Sequence, residues 1–410
     1  MLRNNDRTEN VSGLFCRLQW FVTEEGAFSE WSKFMEYRKI DKLGIETSLL
    51  GFGCMRFPTN ADGKIDREKS TQMLDLARAN GVNYFDTAYP YHNGESELFV
   101  GEYLAKKGCR KDLYLATKLP LWAVNSLDDA KRLFAEQLEK LQTDYIDFYL
   151  LHAVNGKRFD EIAAMGVIEL MEEYQKEGKI KYFGFSFHDG YEAFEHIIKY
   201  RDWDFCQIQL NYMDTETQAG MKGYLLTEEL NVPLVIMEPV KGGSLATFSE
   251  DIVDLFKKAA PDYSVASWAI RWLGTLPNVK VILSGMTQPE QVEDNLKTCN
   301  NFVPLSDAEQ EALQNIIKAI NDRIKNGCTG CRYCMPCPGG VDIPKMFRMW
   351  NDLGMYSNKG HVRWGYFDST PAENRADKCI ECGACEAVCP QNLPIREHLK
   401  LMHADMEALR

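Results

Sequence analysis

The chain has 410 residues, 45% of them hydrophobic, and a formal net charge of −13; this length and apolar content suit one large buried core plus a small second domain. The acidic balance excludes nucleic acid, whose phosphates demand a basic face, and argues equally against docking to anionic membranes. No stretch of about 20 uncharged apolar residues occurs, so no transmembrane helix is expected.

Residues 1–34 show no clear period. The apolar stretch 11–22 is broken by Arg17 and Gln19, follows Asp6 and Glu9, and precedes no small-residue cleavage site, so it does not read as a secretory signal. Met35 opens a more orderly segment, which leaves two readings of 1–34: an N-terminal arm, or an extension ahead of a native start at Met35. From there a beat of strand and helix sets in. Short apolar runs at 49–53, 83–86, 113–118, 146–152, 182–187, 205–210, 233–237 and 279–284 look like buried parallel strands. Amphipathic stretches at 70–80, 127–141, 164–177 and 191–200 lie between them, and a Ser-Asp-x-Glu start opens a further helix over 306–321.

Eight strands alternating with helices over about 250 residues fit a closed (β/α)8 TIM barrel, an α/β fold. A doubly wound open sheet is the structural rival, but it carries a glycine-rich phosphate turn after its first strand. Here Gly51-Phe52-Gly53 runs into Cys54-Met55-Arg56 and lacks the third glycine. We therefore divide the chain into an N-terminal extension (1–34), a barrel (35–322) and a small, helical C-terminal domain (323–410).

The last division rests on cysteine. Eight of the thirteen cysteines fall in two runs: Cys328, Cys331, Cys334 and Cys337, then Cys379, Cys382, Cys385 and Cys389, each run closed by proline. The second has the C-x2-C-x2-C-x3-C-P spacing of bacterial ferredoxins, in which the fourth cysteine serves the other cluster. Two 4Fe–4S clusters follow, one held by Cys328, Cys331, Cys334 and Cys389, the other by Cys379, Cys382, Cys385 and Cys337. Structural zinc is the rival reading, but zinc sites generally separate their CxxC knuckles by a longer loop. The first run has one residue fewer before its fourth cysteine than the ferredoxin pattern. The 41 residues between the runs exceed what a compact ferredoxin needs, and are expected to form helices that pack the clusters against the barrel. Clustered cysteines without a signal point to a reducing compartment, the cytoplasm. Cys16, Cys54, Cys109, Cys206 and Cys299 are scattered and read as buried free thiols.

In such a barrel the chemistry sits at the C-terminal strand ends. Asp86 ends the second strand, Tyr91 follows five residues later, Lys118 ends the third strand and His152 the fourth. Taken singly, each has a plain structural reading; together an acid, a phenol, an ammonium and an imidazole project into one mouth. With D-T-A-x-x-Y, the strand-end T-K and L-L-H, the NGESE after Tyr91 and the closing MTQPEQVEDNL, residues 35–322 resemble the aldo/keto reductase family. The resemblance implies carbonyl reduction with NADPH or NADH. Tyr91 is then the proton donor, with Lys118 stabilising the phenolate left behind and lowering that barrier, Asp86 pairing with Lys118, and His152 orienting the substrate oxygen.

The resemblance also implies cofactor contacts from Ser186, Gln207, Ser284, Gly285, Asp294 and Asn295. The chain departs from the pattern where Phe187 replaces the usual Asn, and where Gln291 stands in place of an arginine for the 2′-phosphate. The implied partners are a small-molecule carbonyl substrate and an electron-transfer protein for the clusters. Trp122 is a candidate pocket wall, with core packing the equal alternative. The competing function is an iron–sulfur electron carrier or redox sensor that uses the barrel as a scaffold. Hydride does not feed one-electron clusters without a splitting cofactor such as flavin, and no flavin motif is present.

Overall fold

The structure, a computed structural model, describes residues 35–410; the readings of 1–34 and of Cys16 lie outside the described residues. A hairpin of β1 (Tyr37–Ile40) and β2 (Ile45–Ser48) comes first, and was not anticipated from the sequence. The barrel then runs β3 (Leu50–Gly53), α1 (Arg67–Ala79), β4 (Tyr84–Asp86), α2 (Glu95–Lys107), β5 (Tyr114–Leu119), α3 (Leu127–Leu141) and β6 (Ile146–Val154). It continues through α4 (Gly156–Ala164), α5 (Val167–Lys176), β7 (Ile180–Phe187), α6 (Tyr191–Ile198), β8 (Phe205–Gln209) and α7 (Gly220–Glu229). Next come β9 (Leu234–Met237), α8 (Glu250–Ala259), α9 (Val265–Gly274), β10 (Val279–Gly285), α10 (Pro289–Cys299) and α11 (Asp307–Asn321).

Strands β3 to β10 pair in parallel and close on themselves, β10 joining β3, so the expected TIM barrel is the fold. Parallel strands buried on both faces carry apolar runs rather than alternation, which is why all eight apolar runs fall within two residues of a strand at either end. One helix expectation needs correction. The stretch 164–177 is not a single helix: α4 ends at Ala164, and Gly166, at φ 80°, breaks the chain before α5. The serine start at 306 holds, since Ser306 and Glu309 form a reciprocal cap on α11.

Inside the barrel Tyr84, Phe148, Phe205, Val281 and Leu283 fill the lower half. Phe148 sits edge-on to Tyr84 and Phe205 with centroids 5.0 and 4.9 Å away. Gly51 leaves room there, for a Cβ would stand 2.6 Å from Val281 Cγ1. The hairpin turn lays Leu43 and Ile45 against this plug, and Lys42 locks it through Asp202 Oδ1 at 2.5 Å and the Trp203 carbonyl at 2.7 Å. With the floor sealed by aromatics, only the C-terminal ends of the strands open outward.

The remainder of the chain carries α12 (Ile343–Met355), α13 (Lys359–Phe367), α14 (Ala384–Ala387) and α15 (Ile395–Glu407). Their apolar faces share one core around Phe347, Trp350, Tyr366, Leu399 and Met402, with cysteines from both runs packed on its edge. The insert between the cysteine runs is thus helical, and it does reach the barrel. Tyr356, buried, joins Tyr212, Phe248 and Trp268 in a barrel-side core, and the Ser357 N–H donates to the Thr247 carbonyl at 2.9 Å.

Candidate active site and cluster sites

The strand ends deliver the four polar residues to one place. Asp86 and Lys118 end adjacent strands and are 2% and 1% exposed, so their charges depend on each other. Lys118 Nζ donates to Asp86 Oδ1 at 2.5 Å and to the Thr87 carbonyl at 2.9 Å, and reaches Tyr91 Oη at 3.4 Å. The Tyr91 ring stands edge-on to His152, centroids 6.2 Å apart. The Trp122 ring lies tilted against that imidazole, centroids 5.1 Å apart, and is 56% exposed, so it is not a core residue. A cavity of about 430 Å³ opens over Asp86, Tyr91, Lys118 and His152.

A second layer holds Lys118 from behind. Gln137 Nε2 donates to the Lys118 carbonyl at 3.0 Å and to Glu97 Oε1 at 2.6 Å, and Thr117 Oγ1 donates to the same Glu97 oxygen at 2.7 Å. Tyr149 Oη closes the set on Gln137 Oε1 at 2.7 Å. Ser96 and Glu97, the SE of NGESE, are therefore wholly buried struts. Glu97 braces the strand that presents the lysine, while Ser96 Oγ bridges Thr87 Oγ1 at 2.9 Å and the Cys54 carbonyl at 3.1 Å.

Protonation follows from burial and neighbours. Burial alone would pull the Lys118 ammonium down, but Asp86 and Tyr91 outweigh it and leave its pKa raised. Burial pushes the Asp86 carboxyl up against the pull of Lys118. The Lys118 ammonium stays charged beside the Asp86 carboxylate at 2.5 Å. Burial also pushes the Tyr91 phenol up, more than Lys118 pulls it down. Tyr91 therefore keeps its proton at neutral pH. Burial, then the Lys118 charge, lowers His152 to about 3, so its imidazole is neutral.

The cofactor candidates line the same cavity. Strand β6 loses register between Leu151 and Val154, with Ala153 at φ 52°, and Ser186 Oγ accepts the Ala153 N–H at 2.9 Å. Ser186 thus shapes the bend that presents His152. Gln207 Oε1, His152 Nδ1 and Asp86 Oδ2 are buried and have no hydrogen-bond partner among the described residues. Such orphans at one cavity fit a polar ligand, the nicotinamide amide and a substrate oxygen among them. At the other end Asn295 Nδ2 donates to Ser284 Oγ at 2.8 Å, and Asp294 Oδ2 accepts from Ser264 Oγ at 2.6 Å. The Gln291 side chain is occupied in capping α10. Gly285 is a platform for Arg56, whose Cγ lies 3.2 Å from where a glycine Cβ would stand. Sequence reasoning missed Arg56 and His188, which also line the cavity; both follow strand ends, and the same strand-end rule finds them.

All eight run cysteines are free of disulfides. Cys328, Cys331, Cys334 and the distant Cys389 line one small cavity with Ile343, Phe347 and Ile395. Burial raises the Cys334 thiol, and Cys328, Cys331 and Cys389 add to the rise. Around the second set, Gly339 packs so closely that a Cβ would meet the Lys378 carbonyl at 2.7 Å, which brings the turn after Cys337 beside Cys379. Cys379 also adds to the raised pKa of the Cys385 thiol, after burial and Glu386. Among the described residues no group of three or more His, Cys, Asp or Glu closes on a single-ion geometry; the first-set sulfurs ring a space instead.

Residues 49–318 match the aldo/keto reductase family. The chain belongs to that family. Residues 327–393 match a 4Fe-4S dicluster domain. Among curated relatives of this reductase, the uncharacterized oxidoreductase YqkF of Bacillus subtilis is 28% identical over 69% of the chain and 97% of its own length. The NADH-specific methylglyoxal reductase of Escherichia coli is 24% identical over 68% of the chain and 96% of its own. The holo form of aldo-keto reductase AKR11C1 from Bacillus halodurans superposes with a TM-score of 0.58 at 27% identity, over 69% of this chain and 96% of that one. The reductase is thus an oxidoreductase of aldo/keto reductase type with a 4Fe-4S domain appended. No helix among the described residues is long and apolar enough to cross a membrane.

Proposed function

We propose that the barrel, residues 35–322, reduces the carbonyl of a small aldehyde or ketone, and that residues 323–410 hold two 4Fe–4S clusters. The observation that carries the reductase reading is the Lys118 ammonium, held at 2.5 Å by Asp86 and 3.4 Å from the Tyr91 hydroxyl on the cavity floor. Ser186, Gln207, Ser284, Gly285, Asp294 and Asn295 would hold NADPH or NADH, which when bound would supply the hydride for the carbonyl carbon. Tyr91 gives its phenolic proton to the carbonyl oxygen, so hydride plus proton convert C=O to an alcohol. Lys118 stabilises the phenolate that remains, and Asp86 keeps the ammonium charged and placed. Neutral His152 donates a hydrogen bond that orients the oxygen.

Removing the proton donor without changing shape tests this. Tyr91→Phe should lower NAD(P)H-dependent aldehyde reduction by about 10²–10⁴-fold while the visible cluster absorbance stays. Unchanged reduction would sink the assignment, and would favour an electron carrier on a barrel scaffold. Small 2-oxoaldehydes belong in that assay, given the methylglyoxal activity named for the Escherichia coli relative.

For the clusters, the meeting of Cys328, Cys331 and Cys334 with Cys389 supports the crossed ligand sets; Cys379, Cys382, Cys385 and Cys337 form the other. An electron-transfer partner protein and a cytoplasmic setting complete the proposal.

A further inference from the structure

The turn Lys241–Ala246 after β9 lines the active-site cavity with Gly242 and Gly243. Three successive residues here, Lys241, Gly242 and Gly243, are left-handed at φ 50°, 61° and 94°. The cluster module packs against this turn. Tyr356 is packed into the barrel-side core, Ser357 is bonded to Thr247, and Asn358 caps α13 by accepting the His361 N–H at 3.3 Å. The strap therefore has a fixed course. It brings Asn358 Nδ2 within 3.8 Å of the Cβ position at Gly243, and His361 Cε1 within 3.9 Å of that at Gly242.

The same Gly242 position is approached from the barrel by Arg56 Nη2, at 3.6 Å. A guanidinium from one domain and an imidazole from the other thus converge on one glycine of the cavity wall. Arg56 has no carboxylate at ion-pair distance among the described residues, and both it and His361 are exposed. Any side chain at Gly242 would fill the gap between them. Two nitrogen-bearing groups over a bare backbone form a cradle for an anionic oxygen.

We infer that the cluster module completes the dinucleotide site: a cofactor phosphate lies over Gly242 between Arg56 and His361, so that the reductase binds its cofactor with both domains. This rests on the nicotinamide reading above. The phosphate is either the pyrophosphate or the 2′-phosphate, and the two have the same chemistry here. Gln291, engaged in its helix cap, leaves the cation's role to these residues.

The test uses the full-length protein, prepared anaerobically with its clusters, and titrates NADPH and NADH separately by fluorescence. His361→Ala should weaken binding by about tenfold, the scale of one hydrogen bond to a charged group, and His361→Arg should restore it. Weakening of both cofactors assigns the pyrophosphate; weakening of NADPH alone assigns the 2′-phosphate. Because His361 also faces Asp352, a merely structural role is separable. In that case His361→Arg would fail to restore affinity, or His361→Ala and His361→Gln would both lose cluster absorbance, and either result overturns the inference. So does affinity within about twofold of the parent for both cofactors. If the parent protein binds neither dinucleotide, it is the nicotinamide reading that falls.

Discussion

The barrel mouth and the cysteine loops hold reactive groups in opposite ways. At the mouth, Asp86 and Lys118 are buried on strand ends and braced from behind by Gln137, Thr117 and Glu97. In the module the cysteines sit on turns, with Cys331 and Cys382 exposed and the others half-buried. The barrel's site is pre-organised by its own hydrogen bonds and packing. The module's loop between α11 and α12 holds no helix or strand, and that between α13 and α15 only short helical turns, so their order should depend on what the sulfurs bind. Strand ends position chemistry; the cysteine turns wait for a cofactor to position them.

Stripping the iron should break this comparison most visibly. Because a thiolate-held cofactor contributes folding free energy directly, anaerobic chelation should erase the visible absorbance and open residues 323–410 to protease. The barrel's thermal transition should persist. A module that stays protease-resistant without iron would show that its apolar core is sufficient. A smaller effect is expected at the clamp between the two regions. Tyr356→Ala should cost about 3 kcal/mol, as for loss of a large buried aromatic, and should speed hydrogen exchange at the Ser357 amide. An unchanged exchange rate there would mean the strap is held elsewhere.

The smallest expected effect is on pH dependence. On the proposed mechanism Tyr91 donates the proton and must be protonated, so its raised pKa should move the loss of activity upward. His152, lowered to about 3, is neutral over the working range. The reductase rate should therefore be flat from about pH 6 to 9 and fall only beyond the ordinary phenol value near 10. A limb with its midpoint near neutrality would place a different group in the proton transfer.

Much of this was legible in the chain. The eight apolar runs mark the barrel because strands buried on both faces cannot alternate, and the four catalytic candidates follow because strand ends share one mouth. The two cysteine runs were readable from spacing alone. Less legible were the features made by contacts distant in sequence. Nothing near Glu97 announces that it braces Lys118 through Gln137, and nothing near Tyr356 announces its socket at Tyr212 and Phe248. The protonation of Tyr91 is hidden for a related reason: a motif names the neighbouring ammonium but does not weigh it against burial. The broken helix at Gly166 was readable, since a glycine inside a helical period is a warning.

The socket for Tyr356 has a consequence for handling the molecule. Tyr212, Phe248 and Trp268 are covered there by a residue that belongs to the other half of the chain. Cutting after residue 322 to obtain a simple reductase would lay bare a sticky aromatic hollow beside the cofactor turn. The excised barrel should clump with its own copies rather than circulate as a free enzyme, and the two halves travel best as one.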